Sequence, residues 1–144
     1  MVNSSQEELR KLSVEMRYLE QTAETLQQRI SMLNAALADL TYANATLDGI
    51  EQEKEDAEML VPIGGSSYVQ VKLVNPDKIL VGLGAGVSVE KPIVDAKVTL
   101  KERLDELEKT LQSAQTQFSQ VVERINSGQR RIESLLANSK QGNA

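Results

Sequence analysis

The sequence predicts an α+β fold: a long antiparallel coiled-coil helical hairpin carrying two central β-hairpins that assemble with other chains into an oligomeric hub. Three observations point there. Heptad repeats run without a break over residues 9–47 and again over 100–135. The residues between them alternate apolar and polar and turn at glycines. Among 144 residues there are one Phe, three Tyr and no Trp, so four short strands have little with which to close a core of their own.

In the first arm every d position is leucine, at Leu12, Leu19, Leu26, Leu33, Leu40 and Leu47. The a positions are Leu9, Met16, Ala23, Ile30, Leu37 and Asn44. Six heptads with a single polar a residue form a strong coiled-coil pattern. Ser5-x-x-Glu8 fits a capping box, and no proline precedes Pro62. The expected helix spans 5–58, so that the acidic run EQEKEDAE (51–58) forms its last solvated turns.

The middle segment, 59–91, reads as four strands in two hairpins. YVQVKLV places Val69, Val71 and Leu73 on one face and Tyr68, Gln70 and Lys72 on the other. NPDK (75–78) suits a type I turn with proline at its second place. The first hairpin turns at Gly64 and Gly65, the second at Gly84, Ala85 and Gly86. Gly82, Gly84 and Gly86 also invite a different reading, a loop that cradles phosphate. Such loops set their glycines between a strand and a helix, so that the helix N-terminus meets the anion. Here VSVEK, an alternating strand, follows, and Val89 stands where the third glycine after Gly84-x-Gly86 would fall. These glycines turn the chain.

The second arm, 92–138 with a tail at 139–144, opens at Pro92 with Asp95 in its first turn. Leu104, Leu111, Phe118, Ile125 and Ile132 take a; Leu100, Leu107, Ala114, Val121, Gly128 and Leu135 take d. At about 1.5 Å per residue each arm is roughly 50–60 Å long. A register in which residue i faces 144 − i sets every a against a d, pairing Leu19 with Ile125 and Ile30 with Ala114. Gly128 opposite Met16 is its weak layer, because glycine costs about 1 kcal/mol in a helix and fills no hole.

Composition removes several function classes. The formal charge of −5 argues against a nucleic-acid partner. Residues 1–60 carry −7, whereas 61–92 and 93–144 carry +1 each, so the two arms do not repel. Without His or Cys the chain lacks the usual general base, the commonest metal ligand and any thiolate. No catalytic, cofactor-binding or metal-binding residue is therefore assigned. The N-terminus has no apolar stretch after a basic start, and no apolar run approaches the roughly 20 residues that span a bilayer. A cytoplasmic location with no membrane partner is expected.

Two surfaces are candidates for contact with other chains. The hub candidates are Val61, Ile63, Val69, Val71, Leu73, Ile79, Val81, Leu83, Val87 and Val89, which a lone ribbon would leave exposed. The proposed register puts both chain termini at the far tip of the arms. There Val2, Leu9, Leu12, Val14, Tyr18, Ile132, Leu135 and Leu136 are the tip candidates, an apolar end able to grip another polypeptide. Isolated exposed apolar side chains are also ordinary on any surface, and spacing alone does not separate the two readings.

LVPIGGSSYVQVKLVNPDKILVGLGAGVSVEKPIVDA (60–96), set between equal heptad arms, resembles the prefoldin α-subunit family of archaeal type. GLGAGVSVEK is similar to that family's Gly-x-Gly-aliphatic-x-Val-Glu-Lys hairpin, and VPIGGSSYV to its first hairpin. The resemblance covers essentially the whole chain, 1–144, as a single domain. It implies a hexamer of two α and four smaller β-type subunits, whose hairpins close into a double β-barrel with six coiled coils below. It also implies an ATP-independent chaperone that captures non-native polypeptides at its tips and delivers them to a group II chaperonin, with no cofactor. The alternative is a structural or adaptor coiled-coil protein whose tip docks one specific folded partner. A catalytic reading needs an acidic tip, and the carboxylate run at 51–58 falls at the hub end instead.

Overall fold

A computed structural model of the chain describes residues 4–142. Its elements are α1 (Ser4–Glu51), β1 (Glu58–Gly64), β2 (Ser67–Lys72), β3 (Ile79–Gly84), β4 (Val87–Lys91) and α2 (Ile93–Gly142). The fold is the predicted α+β arrangement of two long helices and two β-hairpins. The strands make two separate two-stranded antiparallel sheets, β1–β2 and β3–β4, and the described residues of one chain close no barrel. The chain divides into two compact units, residues 36–107 and residues 1–35 with 108–144.

Helix boundaries differ from expectation for identifiable reasons. α1 stops at Glu51, not at residue 58. The amides of Gln52 and Glu53 fold back onto the carbonyls of Gly49 and Ile50, at 3.3 and 2.9 Å, a tightened last turn. Asp56 then adopts a φ of 64°, and its amide donates to the Leu73 carbonyl at 2.7 Å, while the Leu73 amide donates to the Ala57 carbonyl at 2.8 Å. The acidic run is thus a connector drawn into the β1–β2 ladder rather than a final stretch of helix. At the other end of α1, Ser5 is already helical, and Glu8 turns to Arg131 instead of closing a capping box. α2 begins at Ile93 and continues through Gly142, past the expected end at 138.

In the unit of residues 36–107, Leu47 of α1, Val81 of β3 and Ile93 and Ala96 of α2 form a small core, edged by Ile50, Ile79 and Leu100. Burying the Leu47, Val81 and Ile93 side chains contributes about 1.5–3 kcal/mol each. The expected turn at Asn75 joins this core to the start of α2. Asn75 accepts from the amides of Asp77 and Lys78, at 2.9 and 3.2 Å, and Asp77 Oδ1 accepts the Ile93 amide at 3.2 Å, satisfying a first-turn donor of the helix. Lys97 binds Asp48 at 2.8 Å and also reaches Glu51, tying α2 to the end of α1.

Each hairpin turns through two consecutive left-handed residues, Gly65 and Ser66 in the first and Ala85 and Gly86 in the second. That pair of positive φ angles is the signature of a type I′ turn, whose twist matches antiparallel strands. A bulge precedes each turn, between Pro62 and Gly64 and between Gly82 and Gly84.

In the other unit the two helices run antiparallel, with Met16, Leu19, Leu111, Ala114 and Leu135 buried along their seam. Glu8 pairs with Arg131 and Glu15 with Arg124, rising along α1 as they descend along α2.

Candidate interaction surfaces

The two hairpins are held differently. β3–β4 is anchored: Val81 is only 3% exposed within the core, Arg103 donates to the Gly82 carbonyl at 2.7 Å, and Lys91 donates to Thr99 Oγ1 at 2.9 Å. β1–β2 has no buried residue in either strand. Of the hub candidates, Val61, Ile63, Val69, Leu83, Val87 and Val89 are exposed, and Val71, Leu73 and Ile79 are half-buried. Val81 does not belong with them, because its side chain is consumed by the chain's own core. The pairings Val61 with Val69 and Val81 with Val89 set aliphatic chains side by side across each ladder.

Sequence reasoning missed Leu60 and Leu80. Both are exposed, Leu80 by 73%, and they pair with Gln70 and Glu90 on the face assigned to polar residues. Each hairpin therefore carries apolar side chains on both faces, which period-two alternation in one strand does not disclose. Their own apolar character was the available signal.

At the helix ends, Val14, Leu136 and Tyr18 are exposed, Tyr18 by 67%. Leu9, Leu12 and Ile132 are half-buried, and Leu135 is 7% exposed. Leu135 is a seam residue packed within the helix pair, so it is not available as surface. Val2 lies outside the described residues. The layer expected to be weak is filled: Met16 is buried directly against Gly128.

Charge fastens this unit at its margin. Arg131 grips Glu8 with two contacts, at 2.8 and 3.2 Å, and Arg124 meets Glu15 at 3.1 Å. The hydrogen bond from Arg131 holds the Glu8 carboxyl below its ordinary pKa. In the other unit the Lys97 ammonium is raised, first by its hydrogen bond to Asp48 and then by that to Glu51. The Glu8–Arg131 and Glu15–Arg124 pairs were not foreseen, although charged g positions of opposite sign were the available signal. Among the described residues no group of three or more His, Cys, Asp or Glu side chains is arranged to hold a metal ion. No described helix is long and apolar enough to cross a membrane.

Paired heptad helices joined through two β-hairpins with exposed apolar side chains define a class of coiled-coil interaction proteins. Comparison with known proteins narrows the class. The prefoldin subunit family model matches residues 19–138. Prefoldin subunit alpha of Methanosarcina mazei is 35% identical over 141 residues, covering 96% of each chain. That of Methanococcoides burtonii is 31% identical over 138 residues, covering 96% of this chain and 97% of the relative. A solved structure of filamentous PFD from Methanocaldococcus jannaschii shares the fold, with a TM-score of 0.65 at 24% identity, over 78% of this chain and 93% of that one. The chain belongs to the prefoldin family, with alpha subunits as its relatives. Prefoldin is a chaperone family and not an enzyme family, and this chain is a chaperone subunit.

Proposed function

We propose that the chain is the α-type member of a cytoplasmic hetero-oligomer, two α with four β-type subunits, acting as an ATP-independent holdase. In this reading the hairpins assemble the subunits, the helix ends hold non-native polypeptides, and the client passes to a group II chaperonin. The observation that carries it is the exposure of apolar side chains in two places: Leu60, Ile63, Leu80 and Leu83 on the hairpins, and Val14, Tyr18 and Leu136 at the helix ends. Unpaired strand edges with apolar flanks favour strand pairing with neighbours. A few exposed apolar groups per arm bind weakly, but several arms on one hub raise the effective concentration, so a client is both retained and releasable.

Native mass spectrometry of the complex from its own cell extract, tagged away from the helix ends, tests the assembly. Two copies of this chain with four of a smaller coiled-coil subunit are expected. Suppression of aggregation of an unfolded model client without ATP tests the activity, and a Val14→Ser, Tyr18→Ser, Leu136→Ser variant is expected to lose it while still assembling. A monomer, or a fixed complex with one folded partner, would move the protein to the adaptor class.

A further inference from the structure

Along one margin of the helix pair, g positions of α1 and α2 meet at intervals of one heptad. Glu8 meets Arg131 and Glu15 meets Arg124, with the acid on α1 and the base on α2. Continuing that spacing sets Thr22 opposite Gln117 and Arg29 opposite Thr110. The polarity reverses at Arg29: α1 now contributes the cation, and no carboxylate stands across from it. Arg29 instead lines a cavity of about 270 Å³ with Lys109, Thr110, Ser113, Ala114 and Gln117. Neither Arg29 nor Lys109 is among the ion pairs of the described residues, in a chain whose net charge is −5. A second cavity, lined by Lys109, Gln112, Ser113, Thr116 and Gln117, likewise has no carboxylate in its wall.

We infer that the Arg29–Lys109 cavity is an oxyanion site that takes a phosphate group. Two cations, one from each helix, match the charge of a phosphate dianion. A guanidinium offers a planar pair of donors to two oxygens, an ammonium offers a point charge, and the Ser113 hydroxyl and Gln117 carboxamide supply neutral donors. Buried Ala114 lines the same cavity and presents no competing acceptor side chain. Because Arg29, Lys109, Ser113 and Gln117 are all exposed, it is expected to bind in the millimolar range rather than tightly. The chemistry accommodates free phosphate and a phosphate monoester alike. The assignment is independent of the client-binding and assembly readings.

The test uses the assembled complex with methyl-labelled alanine and follows the Ala114 methyl signal on titration with inorganic phosphate, at constant ionic strength set with chloride. A saturable shift is expected. Arg29→Gln should weaken it about tenfold or more, since a charged hydrogen bond is lost. Arg17→Gln, which changes net charge equally at another exposed α1 position, should leave it unchanged. Phosphoserine titrated in the same way reads the source: a matching shift admits monoesters, and its absence restricts the site to free phosphate. A phosphate titration with no saturable shift, or equal weakening by Arg29→Gln and Arg17→Gln, would overturn the site in favour of diffuse surface charge.

Discussion

The thioether of Met16 occupies the space in which a side chain on Gly128 would begin. A Cβ on Gly128 would stand 2.6 Å from the Met16 sulfur and closer still to its terminal methyl. Met16 is 7% exposed and Gly128 is buried, so a position that looks like a gap in the heptad is a socket. Methionine suits such a site because its unbranched, flexible chain fills irregular space.

The socket makes the effect of Gly128→Ala depend on Met16. Alanine gains about 1 kcal/mol of helix propensity over glycine, whereas overpacking a filled site costs about 1–3 kcal/mol. The substitution alone is expected to be neutral to destabilising by about 2 kcal/mol. In a Met16→Ala background it should instead stabilise by about 1 kcal/mol. Denaturant unfolding of the four chains in this cycle measures the coupling, and equal effects in both backgrounds would disprove the socket.

The two hairpins should differ in local stability. In the isolated chain, Val81→Ala removes core packing and is expected to cost about 2 kcal/mol, while Val87→Ala stays within about 0.5 kcal/mol. Hydrogen exchange should show β3–β4 protected and β1–β2 exchanging quickly. Uniform protection of both hairpins would contradict the difference in anchoring.

Ala85 sits at a φ of 51°, where a Cβ is unfavourable by about 1–2 kcal/mol, partly offset in the unfolded chain by glycine's greater entropy. Ala85→Gly is therefore expected to stabilise the second hairpin by up to about 1 kcal/mol, and Gly86→Ala, at 76°, to weaken it. Exchange rates of the β3–β4 amides report both, and a weaker hairpin in Ala85→Gly or a stronger one in Gly86→Ala would rule out the left-handed turn.

Glu8 titrates below its ordinary 4.5, chiefly through its hydrogen bond with Arg131. A carboxyl depressed in the folded state stabilises above its unfolded pKa, and that contribution fades as pH falls from there through the folded value. The gap in melting temperature between the native chain and Glu8→Gln should narrow on acidification below about 4.5. Lys97 behaves oppositely: raised above 10.5 by Asp48 and then Glu51, it contributes fully below 10.5 and loses its effect as pH climbs past the folded value. A Lys97→Met chain should converge on the native one only at alkaline pH. A pH-independent gap in either comparison would show that the ion pair is not coupled to folding.

Much of the fold is legible in local pattern. Leucine at each d position, the glycines of both turns and the Asn75–Lys78 turn declared two helices and two hairpins, because side-chain periodicity and left-handed φ act within a few residues. The proposed register also brought Met16 to Gly128, since an antiparallel seam must set a against d. Those features the sequence determined by itself. It did not declare that α1 would stop at Glu51, a boundary shaped by ladder bonds that Leu73 offers to Asp56 and Ala57. Nor did it show that Val81 turns inward while Val87 and Val89 stay outside, or that Glu8 would leave its cap for Arg131, 123 positions away. Only the tertiary structure decided these, because each depends on atoms brought from distant parts of the chain, and alternation or heptad phase specifies a face without specifying what covers it.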